Sequence, residues 1–303
     1  MKVAFQINKI KSLNIKTDSS LVLMKECLRR GFDVWFYYPD TLTLNGNEVY
    51  SRCFKFTGLI EEGGEEKTNL DSFNFIFLRQ DPPFDINYIT SIYILEMLNN
   101  AKVLNNPANV RNCPEKLFVL NYHQYMPKTL ITSNKEEIRD FLKTHGEIIL
   151  KPLYAHGGKG VFYITSKSKN LSNAVDILKE HYENLPIIAQ QYLPNVKNGD
   201  KRIVLLNGEI LGAFDRIQAQ GSAVSNVAAG GSARKTILTK QDKEICAALK
   251  PKLKELGLFL VGIDVIDNLI TEINVTSPTG LIALNNLYDL KVEEVIISEM
   301  LKL

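Results

Sequence analysis

The sequence has no paired cysteines, no long apolar run and no excess of either charge. Its four cysteines stand far apart, at 27, 53, 113 and 246, and none forms a C-x-x-C pair. That spacing argues against a disulfide framework or a zinc knuckle, and points to reduced, partly buried thiols in a cytoplasmic protein. No stretch approaches the ~20 apolar residues that would cross a bilayer. The opening "MKVAFQINKI" is strand-like, without an apolar core and cleavage site, so no secretory signal is expected. With 36 basic and 34 acidic residues the net charge is +2. This gives no electrostatic case for nucleic acid or a membrane as partner. No serine or cysteine sits in a triad-like motif, so a covalent nucleophile has no candidate. What is present is an ordinary globular composition, 45% hydrophobic and 23% charged, over 303 residues. That is enough chain for two or three domains.

Strand and helix signals alternate in the first third. "KVAFQI" reads as a strand, and Asp18 caps a helix over Ser19–Arg30 that Gly31 stops. "DVWFYY", "FNFIFLR" and "AKVLNN" read as further strands, with a helix at 88–98. The apolar centre of "FNFIFLR" fits a parallel sheet buried on both faces. Residues 45–70 are polar and Gly/Glu-rich, and read as loops with a minor hairpin. An open α/β domain over 1–113 is expected, followed by α+β blocks over 114–194 and 195–303. In the second block, helices are expected at 115–122, 134–145 and 172–183, around strands 147–151, 161–165 and "IIAQQYL". In the third, "RIVLLNGEILGAF" is a hairpin on a type I′ Asn207-Gly208 turn. Residues 218–233, rich in Gly, Ala and Ser, read as a loop of lid type. A helix at 241–256, despite Pro251, and two strands around Asp267-Asn268 complete the pattern.

Two features carry chemistry. "IILKPLYAHGGKG" (148–160) is a strand running into a loop with Gly157, Gly158 and Gly160. It lacks the Walker lysine-serine ending and the dinucleotide G-x-G-x-x-G. From the loop alone, a phosphate cradle and a tight hairpin turn both stand. On the last hairpin, Asp264 lies on one strand, and Glu272 and Asn274 share a face of the other. Two carboxylates and an amide oxygen are a hard donor set suited to Mg²⁺. Lys116 and Lys151 suit phosphate oxygens, and Arg202 and Arg216 carry the forked geometry that phosphates and carboxylates accept.

The chain resembles prokaryotic glutathione synthetase, an ATP-grasp ligase. The resemblance lies in "LNIKTDSS", "LRQDPPFD", "VRNCPEKLF", "IILKPL", "GGKGVF", "QQYLP", "NGDKRI", "AAGG", "FLVGIDVI" and "TEINVTSPTG", which run nearly end to end. It implies an ATP-grasp fold, α/β and α+β, with an N-terminal open parallel-sheet domain. It further implies ATP and two Mg²⁺ as cofactors, with Mn²⁺ as an alternative. Lys116, Lys151 and the glycine loop would meet the phosphates, Gln190, Gln191, Tyr192 and Leu193 the adenine, and Asp200 the ribose region. Asp264, Glu272 and Asn274 would hold the metals. Arg202 and Arg216 would clamp the donor carboxylate and the transferring phosphate. Asp18, Ser19 and Ser20, with Ser277, Pro278, Thr279 and Gly280, would line the γ-glutamylcysteine site. Gly230 and Gly231 would belong to the lid. The substrates implied are γ-glutamylcysteine, glycine and ATP, and the assembly a homodimer or homotetramer. Two places depart from the family pattern. Val224 stands where relatives carry an arginine, and Leu281-Ile282-Ala283 replaces "IRE". Both remove charge near the peptide site. They keep two rivals open: an ATP-grasp ligase with another acyl donor, and a non-catalytic ATP-binding module.

Overall fold

The computed structural model describes residues 1–217 and 232–303. Three sheets follow one another along the chain. The first is built from β1 (Lys2–Gln6), β2 (Asp33–Tyr37), β3 (Thr43–Asn45), β4 (Glu48–Lys55), β5 (Glu65–Asn69), β6 (Phe75–Leu78) and β7 (Lys102–Leu104). Its order is β3-β4-β2-β1-β6-β7, with β5 also on β4. The run β2-β1-β6-β7 is parallel, as the doubly buried "FNFIFLR" predicts. The sheet as a whole is mixed, because β3, β4 and β5 pair antiparallel. The expectation of loops and one minor hairpin at 45–70 is corrected here: the excursion supplies β4 and β5, which with β3 at its start extend the sheet by three strands. Helices α1 (Ser19–Arg29), α2 (Ile86–Leu95) and α3 (Pro107–Asn112) complete this part. Asp18 caps α1 as read, its carboxylate accepting the Leu21 N–H at 2.8 Å.

The second sheet, order β10-β9-β11-β8, is antiparallel throughout. It holds β8 (Thr129–Thr132), β9 (Glu147–Pro152), β10 (Phe162–Thr165) and β11 (Ile187–Gln191). The chain enters it through α4 (Glu115–Phe118), which gives way to a 3₁₀ segment over Val119–Tyr125. The single α-helix read over 115–122 is therefore shorter than expected. Helices α5 (Lys135–His145) and α6 (Leu171–His181) cover the sheet and give it a core of its own, including Ile138, Ile148, Leu150, Val175 and Ile187. Asn134 caps α5.

The third sheet runs β14-β13-β12-β15-β16, all antiparallel. Its strands are β12 (Asp200–Leu206), β13 (Glu209–Ile217), β14 (Ser232–Lys235), β15 (Leu260–Ile266) and β16 (Leu269–Asn274). Ser232 and Ala233 belong to β14 and not to a loop, which corrects the end of the expected 218–233 segment. The rest of that segment, with Val224, Gly230 and Gly231, lies outside the described residues. Both hairpin turns are primed: Asn207 and Gly208 have φ of 48° and 76°, Asp267 and Asn268 of 52° and 62°. Helix α7 (Lys240–Glu255) accommodates Pro251, and α8 (Leu281–Tyr288) and α9 (Val292–Met300) close the chain. The first and third sheets share their cores: Val3 and Phe5 lie in one cluster with Val204 and Leu281. Asn105 staples them together. Its amide donates to Leu260 O at 2.9 Å and Val275 O at 2.7 Å, and its oxygen accepts the Leu260 N–H.

Candidate active site

Strand register places the charged residues. Arg202 on β12 is the Cα partner of Asp264 on β15, and Asp264 in turn of Glu272 on β16. Across the other edge, Asp200 faces Arg216. Asp264 is buried and clamped from two sides. Arg202 Nε donates to Oδ1 at 2.5 Å and Nη2 to Oδ2 at 3.1 Å, while Arg216 Nη2 lies 2.8 Å from Oδ2. Burial alone would raise the Asp264 carboxyl, but the two guanidiniums outweigh it and hold the group well below the usual range. Arg216 also pairs with Asp200. Burial pushes the Asp200 carboxyl up, and Arg216 only partly offsets it.

Glu272 has its own cations. Lys116 Nζ lies 3.6 Å away and Lys151 Nζ 3.9 Å away. Both lysines are buried, and burial lowers the Lys151 pKa with Glu272 opposing it. Lys116 also donates to Ala155 O at 2.6 Å, which ties it to the glycine loop. In that loop Gly157, Gly158 and Gly160 all have φ between 64° and 77°, a left-handed backbone that glycine adopts without strain. Gly157 and His156 face the same cavity as Glu272. Gly160 instead packs on Tyr182 and Pro152. Asp264, Asp200 and Glu272 are thus each matched by cations, yet among the described residues Asp200 Oδ1 and Arg216 Nε are buried without a partner.

Among the described residues no three His, Cys, Asp or Glu side chains form a cluster fit for a metal. The donor set read from the sequence is two carboxylates and an amide. Asn274 Nδ2 lies 3.4 Å from Asp264 Oδ2, Glu272 is the register partner of Asp264, and all three line one cavity. Their hard oxygens beside two lysines fit a divalent cation carried in with a polyphosphate.

Two cavities meet here. One of about 280 Å³ is lined by Lys116, Gly157, Glu272 and Asn274 among others. The other, about 460 Å³, is lined by Asp18, Phe214, Gly280, Ile282 and Ala283 among others. Ile282 and Ala283, the departures from the family pattern, therefore stand in the wall of the larger cavity. Asp81, Arg202, Arg216 and Thr279 line both. The "DSS" and "TSPTG" segments come together around Arg79, whose Nε donates to Ser20 Oγ at 3.2 Å and Nη2 to Pro278 O at 3.0 Å. Ser19 Oγ accepts the Leu281 N–H at 3.4 Å, and Ser277 donates to Asp81. Ser19 and Ser20 are buried, so they brace the site from behind. Gln190, Gln191, Tyr192 and Leu193 line neither cavity. Gln190 donates to Thr129 Oγ1 at 2.8 Å, and Tyr192 lies on Tyr163. Asp200 is turned toward Arg216. Residue-by-residue reading gave no role to Arg79, Asp81, Glu115 or Thr276. "LRQDPPFD" was the available signal for the first two. Glu115 accepts the Thr276 hydroxyl at 2.7 Å beside Lys116, and burial raises its carboxyl.

Comparison with known proteins covers nearly the whole chain. The family model of the prokaryotic glutathione synthetase N-terminal domain matches residues 1–111, and that of the ATP-grasp domain of the same family residues 115–289. The glutathione synthetase of Rhodopseudomonas palustris is 44% identical over 95% of this chain and 94% of its own. That of Prochlorococcus marinus is 36% identical over 100% of both. Among solved structures, D-cycloserine synthetase DcsG superposes with a TM-score of 0.72 at 16% identity, over 99% of this chain and 100% of that one. The macrocyclase MdnC of Microcystis aeruginosa gives 0.65 at 17% identity, over 100% of both. These distant structures share the fold.

Proposed function

The chain belongs to the prokaryotic glutathione synthetase family, and on that premise we propose how its residues carry the family's reaction. The reaction joins γ-L-glutamyl-L-cysteine to glycine, with ATP going to ADP and phosphate. It is an ATP-dependent carboxylate–amine ligation. A free carboxylate is a poor acyl donor. Transfer of the terminal phosphoryl group to one carboxylate oxygen makes that oxygen part of a good leaving group. The neutral amine nitrogen then forms the C–N bond as the C–O bond breaks, and phosphate departs with the electron pair and takes up the proton that the nitrogen loses. Most of the catalytic demand is therefore positioning and charge neutralisation.

Each residue set has a place in that scheme. Lys116, Lys151 and the Gly157–Gly158–Gly160 loop take the phosphates. Arg202 and Arg216 bridge the donor carboxylate and the transferring phosphoryl group. Gln190, Gln191, Tyr192 and Leu193 hold the adenine, and Asp200 acts through Arg216. Asp264, Glu272 and Asn274 would hold two Mg²⁺, or Mn²⁺, which neutralise phosphate charge when bound. The larger cavity takes the peptide, with Asp18, Ser277, Pro278, Thr279 and Gly280 in or near its wall. Gly230 and Gly231, outside the described residues, keep the lid role that the family resemblance implies, which is to exclude water from the acyl phosphate. The units 1–113, 114–194 and 195–303, a homodimer or homotetramer and a cytoplasmic location belong to the same reading. No helix among the described residues is long and apolar enough to cross a membrane.

The observation that carries this reading is the pair Arg202 and Arg216, which converge on Asp264 where the two cavities meet. The test uses donor peptide labelled with ¹⁸O in the reacting carboxylate. An acyl phosphate places one label in the released phosphate. Unlabelled phosphate would exclude it.

A further inference from the structure

We propose that Asp81 binds the ammonium group of the acceptor amine, a step that rests on the ligase reading above. The acceptor arrives as an ammonium at the point where the donor carboxyl meets the phosphoryl group, and loses a proton to solvent before its nitrogen attacks. In this molecule that point is the junction of the two cavities. Asp81 is the one carboxylate among the described residues that lines both.

The other carboxylates nearby are paired with cations or line one cavity alone. Asp264 is clamped by Arg202 and Arg216, and Glu272 faces Lys116 and Lys151. Asp18 holds the α1 cap with Oδ1 and lines only the larger cavity, and Glu115 lines only the smaller of the two, where it accepts the Thr276 hydroxyl. Asp81 has no Lys, Arg or His nitrogen within 4.0 Å among the described residues. Its one side-chain partner is the Ser277 hydroxyl, which donates to Oδ1 and fixes the carboxylate's direction. Its backbone is held too, the N–H donating to Asn8 Oδ1 at 2.9 Å. A fixed anionic group with an unfilled oxygen suits a small primary ammonium. The donor peptide has an ammonium of its own, but at the far end of an extended chain from the reacting carboxyl. An anchor at the junction therefore fits the acceptor.

Asp81→Asn is the informative variant, because an amide oxygen still accepts the Ser277 hydroxyl. The KM values for glycine, γ-glutamylcysteine and ATP are measured in wild type and variant. Hydroxylamine, uncharged near neutral pH, is supplied in parallel to intercept the acyl phosphate as a hydroxamate. The expected result is a glycine KM raised about 10- to 100-fold and a higher ratio of hydroxamate to glutathione formed. A KM increase that falls on γ-glutamylcysteine instead would assign Asp81 to the donor and overturn the proposal. Equal loss of both products, with the glycine KM unmoved, would also overturn it. Wild type that forms neither product would remove the ligase reading and the proposal together.

Discussion

At the residue scale, most charges of the candidate site are paired: Asp264 with Arg202 and Arg216, Asp200 with Arg216, and Glu272 with two lysines. Glu272 is the clearest case. It faces Lys116 and Lys151, and both cations are the ones assigned to phosphate. Glu272→Gln removes a hard anionic donor and leaves two buried lysines unbalanced. Turnover is expected to fall at least ~100-fold, read as phosphate release at saturating ATP, while near-normal release would remove Glu272 from the metal set. Elsewhere Glu26 on α1 shows how charge sets acid stability. Burial would raise its carboxyl, but hydrogen bonds from Arg29 and Arg30 outweigh that and lower it. A lowered folded value means stability that is present above the unfolded value of about 4.3 and lost as pH falls through the folded one. Arg30 also donates to Glu294 O at 2.7 Å, so the network joins α1 to α9. Glu26→Gln is expected to cost about 1–2 kcal/mol at neutral pH. Urea melts should show that gap closing below about pH 4; a gap independent of pH would contradict the ionic origin.

At the element scale, the "TSPTG" loop has little room. Gly280 has φ of 117°, and a Cβ there would lie 2.7 Å from two atoms of the Phe214 ring. Gly280→Ala is expected to destabilise by about 2 kcal/mol and to raise the γ-glutamylcysteine KM more than the ATP KM. Equal changes in both would place the loop outside the peptide site. The same loop shows where sequence reading stops. Helix α8 follows Gly280, which offers no side-chain cap, and α9 follows Lys291, also without one. Neither start carries the Ser/Thr/Asp/Asn signal that made α1 and α5 legible. Strand β5, "EEKTN", is largely exposed and has no apolar alternation, so only its pairing with β4 makes it a strand. β8 and β14 have four residues each and bury no side chain fully. By contrast, Asn207-Gly208 fixed its hairpin through local backbone chemistry alone. In the site, the acids and bases could be read by type. Their partners could not, because Arg202 and Asp264 are 62 residues apart and meet only through sheet register.

At the scale of the whole molecule, two cores divide the chain. The first and third sheets share apolar clusters, while the second sheet packs on its own. Lys151 and the glycine loop come from the second sheet, and Asp264 and Glu272 from the third. A nucleotide held by both would join the lobes. ATP with Mg²⁺ at about 100 times Kd should stabilise the fold by roughly 2.7 kcal/mol, seen as a Tm rise in calorimetry. In Glu272→Gln the Mg²⁺-dependent part of that rise should disappear. A rise insensitive to Mg²⁺ in wild type would contradict a metal site between the lobes.

The most direct measurement is phosphate release from ATP and Mg²⁺ with γ-glutamylcysteine and glycine each omitted in turn. Release that requires both, in step with glutathione formed, is the predicted result, and would make Ile282 and Ala283 tolerated changes in the peptide wall. ATP binding without substrate-dependent release would contradict it, and would point to another acyl donor in the larger cavity or to a binding role without turnover.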